Sequence, residues 1–353
     1  PLSRRQRQMC IRDRYLLYSD ELTRRNNGRL SNSILKRYEH VEEGGWWCSG
    51  IDVMTGSSDL WGCFKPDKPR FNHDKNRIIR YEHPPKTPTG IFALRVPLHL
   101  WRRIAERYNI EFRLEMVDKS QSDFGFWQWV IDNKSIPLCI TEGAKKAGAL
   151  LTTGYVAVAL PGINNGYRTP KDEIGNRIGK SYLIPQLHKL VARGRNIYIV
   201  FDQDNKPNTV KAVNKAIKKL GFLMNSLKCQ VKVITWDLKY GKGVDDFLLY
   251  SVNDSFNECY NKALPIETWK AKELNHLTLD SNLEINTPYI PNLSIPETEK
   301  LVAIKSGIGT GKTKFLSKIV QKAIAKKQKI LVIGHRIKLV QQLCQRFGLS
   351  YIT

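Results

Sequence analysis

Three acidic residues follow apolar segments in the middle of the chain. Glu142 ends the segment PLCITE, and Asp202 and Asp204 end the segment NIYIVFDQD. Functional side chains of α/β proteins gather at the carboxyl ends of parallel strands, and residues two apart on a strand point the same way. Acids at the edge of buried strands need a partner, and carboxylate oxygens suit Mg²⁺ or Mn²⁺. We therefore predict a divalent metal site at these three acids. The alternative is that DQD only caps the helix that follows.

A phosphate-binding motif lies near the end of the chain, in SGIGTGKT (306–313). Apolar LVAIKS precedes it and a helix-forming segment follows it, as the strand–loop–helix context of such a motif requires. Its glycines let backbone N–H groups wrap a triphosphate, while Lys312 reaches the β- and γ-phosphates and Thr313 binds Mg²⁺. Ser306 stands where the motif usually begins with glycine. The predicted ATP-binding residues are Gly307, Gly309, Thr310, Gly311, Lys312 and Thr313.

Regular alternation of strands and helices positions the acids. Strands are predicted at PLCITE, YVAVALPG, NIYIVFDQD and CQVKVITWD, with helical segments between and after them. Such alternation is typical of a parallel sheet covered by helices. The same pattern restarts near the end of the chain, where LVAIKS and KILVIG are predicted strands, each followed by a helix.

The predicted fold class is therefore α/β, with a parallel sheet and covering helices, a small α+β module before it and a truncated P-loop NTPase domain after it. Aromatic and turn-forming residues over 46–100 indicate the small module. The predicted divisions are a non-native or disordered arm (1–14), the α+β module (15–134), the parallel-sheet domain (135–261), a proline-containing linker (262–300) and the start of the P-loop domain (301–353).

The charge points to a polyanionic partner. Lys and Arg number 57 against 33 Asp and Glu, for a net charge of +24. A balance this basic attracts nucleic acid. No stretch is long and apolar enough to span a membrane, and the seven cysteines show no CxxC pairing, which disfavours a disulfide scaffold. We expect a soluble, cytoplasmic protein that binds DNA and no membrane.

ITEG followed by FDQD on an α/β sheet resembles the TOPRIM domain of DnaG-type primases, topoisomerases and related nucleases. The resemblance implies that Glu142, Asp202 and Asp204 hold Mg²⁺ for phosphoryl transfer or phosphodiester cleavage. GKGVDDFL (241–248) is similar to a further acidic motif of primase TOPRIM domains, which adds Asp245 and Asp246 as metal ligands; they could equally cap the last helix.

The order of the pieces resembles cyanobacterial plasmid replication proteins of the CyRepA type, from about residue 30 onward. GWWCSG, WGCFKPDKPR and RYEHPP precede the TOPRIM-like part, and a helicase-type P-loop follows it. HRIKLVQQL resembles motif Ia of superfamily 2 helicases, which implies that Arg336 meets DNA phosphates. The resemblance implies a plasmid replication enzyme that makes primers from nucleotides on single-stranded DNA and unwinds origin duplex.

Several alternatives stay open from the residues alone. The acids serve a nuclease as well as a polymerase, and an inert DNA-binding module is a third possibility. Lys145 and Lys146 could face substrate phosphates or be solvated helix positions. Cys48 and Cys63, with His40, His73 and His83 nearby, lack the spacing of a zinc site, so ordinary thiols are favoured. Trp46, Trp47 and Trp61 could stack bases or pack the small module.

Overall fold

The structure is a computed structural model that describes residues 22, 24–72, 76–112, 125–250, 255–273, 283–295, 298, 301–334 and 336–351. These residues divide into two compact units, 1–270 and 271–353. The predicted arm at 1–14 lies outside the described residues, as do His73 and His335. No helix of the described part is long and apolar enough to cross a membrane.

The N-terminal part of unit 1 is built around an antiparallel hairpin. Its elements are α1 (Asn32–Arg37), a 3-10 turn (Glu39–Glu43), β1 (Gly45–Ile51), β2 (Ser58–Pro66), β3 (Phe71–Asn72), β4 (Arg77–Ile78), α2 (Leu98–Arg107) and α3 (Gly125–Asp132). β1 pairs with β2, and β3 with β4, all antiparallel. Aromatic side chains fill the interior, since Trp101, Phe126 and Trp127 are at most 2% exposed.

The rest of unit 1 is a five-stranded sheet with its helices. The strands are β5 (Leu138–Glu142), β6 (Ala157–Leu160), β9 (Asn196–Val200), β10 (Gln230–Val233) and β11 (Leu264–Pro265). The helices are α4 (Ala144–Thr152), α5 (Pro185–Leu190), α6 (Pro207–Ser226), α7 (Val244–Tyr250), α8 (Ser255–Asn261) and α9 (Ile266–Glu273). A two-stranded ribbon, β7 (Tyr167–Arg168) and β8 (Tyr182–Leu183), stands between β6 and α5.

The order across this sheet is β11-β10-β9-β5-β6, and all neighbours are parallel except β10 and β11. The four parallel strands are apolar runs because both faces of the sheet are covered, and Leu138 and Ile140 on β5 are fully buried. The chain leaves β5 for β6 on one side and returns to β9 on the other. The crevice between the carboxyl ends of β5 and β9 is therefore the topological switch point, where α/β sheets bind ligands.

This sheet confirms the predicted α/β class with its parallel sheet and covering helices. The four predicted strands of the middle region are present, although β9 ends at Val200, so that Phe201 to Asp204 form a loop rather than a strand end. Asp202 and Asp204 thus owe their positions to the loop and not to alternation along a strand.

The larger hydrophobic core of unit 1 runs through both of its parts. Residues of the N-terminal part, such as Ile51, Trp61 and Phe92, belong to the same buried cluster as the sheet, and Phe92 forms an antiparallel bridge with Ala159 at the end of β6. The division predicted between residues 134 and 135 stays a prediction.

A buried cation joins the two parts of unit 1. Arg195 is 0% exposed and donates to the carbonyl oxygens of Val130 at 2.7 Å and Ile136 at 2.9 Å. The Val130 carbonyl lies in the last turn of α3, where carbonyls have no helical partner and a cation is favourable. Burial lowers the pKa of Arg195 to about 10, so the side chain keeps its charge at neutral pH.

Unit 2 contains the helices α10 (Lys312–Ala325) and α11 (Ile337–Phe347), both close to their predicted positions. The strands predicted at LVAIKS and KILVIG are wrong for the described residues, because 301–307 and 328–334 have no regular secondary structure. A strand needs a neighbour to pair its N–H and C=O groups, and neither segment forms a ladder in the described part of the chain. Leu301, Leu331 and Ile333 are each more than 80% exposed.

Candidate active site

The carboxylates of Glu142 and Asp202 lie at the switch point between two neighbouring parallel strands. Glu142 is the last residue of β5, and Asp202 follows β9 by two residues. The ladder pairs Thr141 with Val200, so the two chain ends leave the sheet side by side. Burial raises the pKa of Glu142, the ammonium of Lys146 lowers it, and the nearby charge of Asp202 raises it further.

Lys146 is the partner of Asp202. Its Nζ lies 2.7 Å from Asp202 Oδ2, and both side chains are about a fifth to a third exposed. Burial raises the pKa of Asp202, the hydrogen bond and charge of Lys146 lower it, and the charges of Asp245 and Asp246 raise it. The other oxygen, Asp202 Oδ1, is buried and has no hydrogen-bond partner. Such an orphan acceptor is costly to leave unpaired.

Asp204 is held separately, at the start of the loop before α6. Its Oδ1 accepts a hydrogen bond from the backbone N–H of Lys206 at 2.8 Å, and Lys242 Nζ lies 2.9 Å from its Oδ2. These hydrogen bonds lower the pKa of Asp204. The bond from Lys206 is an Asx turn and not the helix cap that was the alternative to a metal role, because the N-cap of α6 is Lys206 and its side chain makes no capping hydrogen bond.

The segment Gly241–Lys242–Gly243 brings the second acidic motif to the same place. The backbone N–H of Gln203 donates to the Lys242 carbonyl at 2.9 Å, which ties this segment to the loop after β9. An added Cβ at Gly243 would lie 2.3 Å from Asp245 Oδ1 and 3.0 Å from Lys146 Cε. The backbone of Gly243 therefore passes close to both charged side chains, and a larger residue there would displace them.

The predicted metal ligands are only partly brought together. Within the described residues, no group of three or more His, Cys, Asp or Glu side chains is arranged to hold a metal ion. Asp202 interacts electrostatically with Glu142, Asp245 and Asp246, whereas Asp204 pairs with Lys242. Mg²⁺ is usually held by one or two carboxylates with waters and substrate phosphates. The orphan oxygen of Asp202 beside Glu142 fits that kind of site.

The two lysines after Glu142 differ in environment. Lys145 is exposed and Lys146 is half-buried against Asp202, so only Lys145 is a solvated helix position. Lys242 was missed at the sequence level. The feature that could have identified Lys242 is its position between two glycines, shortly before the acidic pair Asp245 and Asp246.

The phosphate loop of unit 2 is held by hydrogen bonds between its own residues. Gly309 and Gly311 have positive φ of 86° and 82°, and Gly311 is the N-cap of α10. Lys312 Nζ donates to the carbonyl of Gly307 at 2.6 Å and to that of Ser306 at 3.0 Å. The hydroxyls of Ser306 and Thr310 are 2.7 Å apart. Ser306, which stands where the motif usually has glycine, thus contacts the Thr310 hydroxyl within the loop. Thr313 lies in the first turn of α10.

Arg336 is an exposed residue and the N-cap of α11.

Cys48 and Cys63 are cross-strand neighbours on β1 and β2 with free thiols, and burial raises the pKa of Cys63 to about 12. His40 binds Glu82 at 2.8 Å and His83 binds the Gly62 carbonyl at 2.9 Å. Whether these two cysteines are ordinary thiols stays a prediction.

The predicted base-stacking tryptophans have different surroundings. Trp61 is 5% exposed and stacks on His83 with ring centroids 5.0 Å apart, so it packs the module. Trp46 is 44% exposed. Trp47 is half-buried against the small cluster around Phe64.

Two family models match the chain. The model described as "Domain of unknown function (DUF3854)" matches residues 126–255, and that of "Type III restriction enzyme, res subunit" matches residues 265–351. The first covers the candidate acids and the second covers the phosphate loop.

The chain is similar to an uncharacterized protein of Picosynechococcus sp. (strain PCC 7002), with 45% identity over 343 residues. The alignment covers 96% of this chain and 34% of that protein. The chain therefore spans about a third of the length of its curated relative.

Three solved primase structures are also similar to this chain. The Aquifex aeolicus primase (zinc binding and RNA polymerase domains) has 12% identity and a TM-score of 0.38, over 65% of this chain and 42% of that one. A DnaG primase catalytic domain bound to ssDNA has 14% identity and a TM-score of 0.37, over 86% of this chain and 68% of that one. The E. coli primase catalytic core has 14% identity and a TM-score of 0.32, over 82% of this chain and 71% of that one. At such TM-scores these likenesses carry no weight for the function.

Proposed function

We infer that this chain is a replication protein of the primase–helicase kind. Nucleotidyl transfer would take place at the carboxylate edge, by which we mean the carboxyl ends of β5 and β9 with Glu142 and Asp202, and ATP would bind at the phosphate loop. The observation that carries the inference is the buried, unpartnered Oδ1 of Asp202 beside Glu142 at the switch point. A protein keeps such an arrangement at a cost in stability, and raised carboxyl pKa values cluster at functional sites.

Glu142 and Asp202 would hold Mg²⁺ or Mn²⁺. The ion, when bound, would neutralise the negative charge that develops on a transferring phosphoryl group. The chain's own residues supply the rest: Lys146 holds Asp202 in place, Lys242 holds the neighbouring Asp204, and Gly243 gives an incoming substrate close access to the backbone. The net charge of +24 favours a DNA template.

The phosphate loop supports the ATP part of the proposal. Lys312 now satisfies its ammonium with two loop carbonyls, which are the groups it would exchange for β- and γ-phosphate oxygens. The match of residues 265–351 to the res subunit of type III restriction enzymes is consistent with a nucleotide-binding domain. Unwinding of plasmid origin DNA is the role we propose for the longer protein.

The test is a primer-synthesis assay with the full chain, single-stranded DNA, labelled nucleotides and Mg²⁺ or Mn²⁺. The wild type should make labelled oligomers, and Glu142→Gln should lower the yield about 10³-fold, since loss of several kcal/mol costs tenfold per 1.36 kcal/mol. Glu106→Gln, an exposed acid on α2, is the matched control and should retain full activity.

Other outcomes of the same assay decide against the proposal. DNA shortened by the wild type and not by Glu142→Gln would place the chain among nucleases. Equal products from wild type and Glu142→Gln would mean that the carboxylate edge has no catalytic role, and no product from either would favour an inert DNA-binding module.

A further inference from the structure

The ribbon formed by residues 167–183 rises from the sheet edge that carries the candidate acids. It begins just after β6, whose last residue, Leu160, is the ladder partner of Glu142. β7 and β8 pair antiparallel, and a bridge between Lys171 and Arg177 continues the pairing toward the tip. The ribbon is therefore next to the carboxylate edge by topology alone.

The base of the ribbon is firmly anchored. Arg168 Nη2 donates to the Thr89 carbonyl at 2.9 Å and also bonds the Thr89 hydroxyl. Leu183 is buried, and the hydroxyls of Thr169 and Ser181 meet across the strands at 2.7 Å. At the tip, Asp172 Oδ1 accepts the backbone N–H of Asn176 at 2.6 Å. Hydrogen bonds and packing thus fix the base of the ribbon, and its own turn fixes the tip.

Apolar side chains are exposed along the ribbon. Ile174 is 88% exposed, Ile178 66% and Tyr182 52%. Scattered exposed apolar residues are ordinary, but three of them on one short projection form a surface that gains from a partner with apolar faces.

Cations are interleaved with these apolar residues. Lys171, Arg177 and Lys180 are exposed, and no hydrogen bond or ion pair of their side chains is found among the described residues. Two acids lie beside them: Asp172, whose carboxylate accepts a backbone N–H of the turn, and the exposed Glu173, so the three cations still outnumber the acids. The ribbon therefore offers positive charges and apolar surface together.

We propose that this ribbon binds single-stranded DNA and holds it at the carboxylate edge. Single strands present phosphates to cations and unstacked base faces to apolar and aromatic side chains, whereas a duplex hides its base faces. The proposal deepens the proposed function by naming the element that holds the template, but the binding itself does not depend on catalysis.

The experiment measures the affinity of the full chain for a fluorescent single-stranded oligonucleotide by anisotropy over a range of salt concentrations. The ribbon variant carries Lys171→Gln, Arg177→Gln and Lys180→Gln. The control carries Lys134→Gln, Arg193→Gln and Lys228→Gln, three exposed cations that precede β5, β9 and β10 at the opposite edge of the sheet. Both variants lose the same net charge.

The ribbon variant should bind about tenfold or more weakly, and its slope of log affinity against log salt should shrink by about 2, since each single-strand phosphate contact contributes about 0.7. The control should change affinity by less than about threefold if its cations are distant from the bound strand. Equal loss in both variants would reduce the effect to overall charge and overturn the proposal, as would no loss in the ribbon variant.

A second measurement replaces Ile174 with p-benzoylphenylalanine and irradiates the complex. A cross-link to the single-stranded oligonucleotide is expected, and it should be stronger than to a duplex of the same length. Equal or stronger cross-linking to the duplex would contradict the single-strand assignment. If the wild type makes no primers while the ribbon variant still loses affinity, the proposed function fails and the ribbon proposal stands.

Discussion

The carboxylate edge of unit 1 and the phosphate loop of unit 2 are both charged loops that follow apolar segments, but different frameworks hold them. The first follows strands that are paired on both sides and buried. The second follows a segment with no ladder in the described residues and rests on the start of α10 and on its own internal hydrogen bonds. The buried sheet thus keeps an acceptor of Asp202 without a hydrogen-bond partner, whereas the cation of the phosphate loop is satisfied by carbonyls of its own loop.

Hydrogen exchange tests this contrast most directly. Amides of β5 and β9 should be protected about 10³-fold more than those of residues 301–306 and 329–334, because local opening free energies run from near zero to the global value. The measurement is exchange of the full chain followed by mass spectrometry. Equal protection of the two sets would show that the unit 2 segments form a sheet in solution and would remove the contrast.

Lys312→Ala should weaken ATP binding about 100-fold, since hydrogen bonds to charged groups contribute about 1.5–3 kcal/mol each. Titration with a fluorescent ATP analogue measures the change. Lys314→Ala, an exposed position in the same helix turn, is the control and should bind normally. Unchanged affinity in Lys312→Ala would mean that the loop does not bind phosphates.

Lys146→Met should lower the free energy of unfolding by about 1–2 kcal/mol, a partly exposed case of breaking a buried ion pair. Lys145→Met should change it by less than about 0.5 kcal/mol, as surface substitutions usually do. Urea denaturation with and without Mg²⁺ gives both values. Mg²⁺ should restore more stability to Lys146→Met than to the wild type, and its failure to do so would argue against a cation site at Asp202.

The smallest expected effect is a gain in stability from Glu142→Gln. Burial raises the pKa of Glu142 in the folded chain, so its charged form is less favourable there than in the unfolded chain. The carboxylate therefore costs stability above the folded pKa, and the cost vanishes as the pH falls below the ordinary value of about 4.3.

Glu142→Gln should thus unfold at a higher urea concentration than the wild type at pH 7 and at a similar one at pH 3.5. The gain should be smaller than the loss expected for Lys146→Met. A gain of the same size at both pH values would assign it to something other than the charge.

The middle region shows how far sequence patterns reach. The runs around Ile140 and Ile199 predict buried parallel strands because a sheet covered on both faces needs continuous apolar residues. The position of Glu142 at a strand end follows directly. The lysine partners do not follow, because Lys146 and Lys242 meet their acids across 56 and 38 residues, and no local pattern encodes such a contact.

The segments 301–306 and 329–334 show the opposite limit. Their composition favours strands, but pairing is a property of neighbours rather than of the segment itself. From the sequence, residues 163–179 are expected to be a loop and residues 181–194 a helix, whereas the structure forms β7 at Tyr167–Arg168 and β8 at Tyr182–Leu183. Two-residue strands contain no alternating apolar run, so no local pattern predicts this ribbon.

Arg195 has a consequence for how the chain folds during synthesis. The carbonyls it satisfies belong to residues 59 and 65 positions earlier. The last turn of α3 leaves the ribosome well before the guanidinium that will cap it. Until Arg195 has been translated, these carbonyls can bond only to water. The N-terminal half of unit 1 therefore acquires its final form only when the sheet assembles beside it.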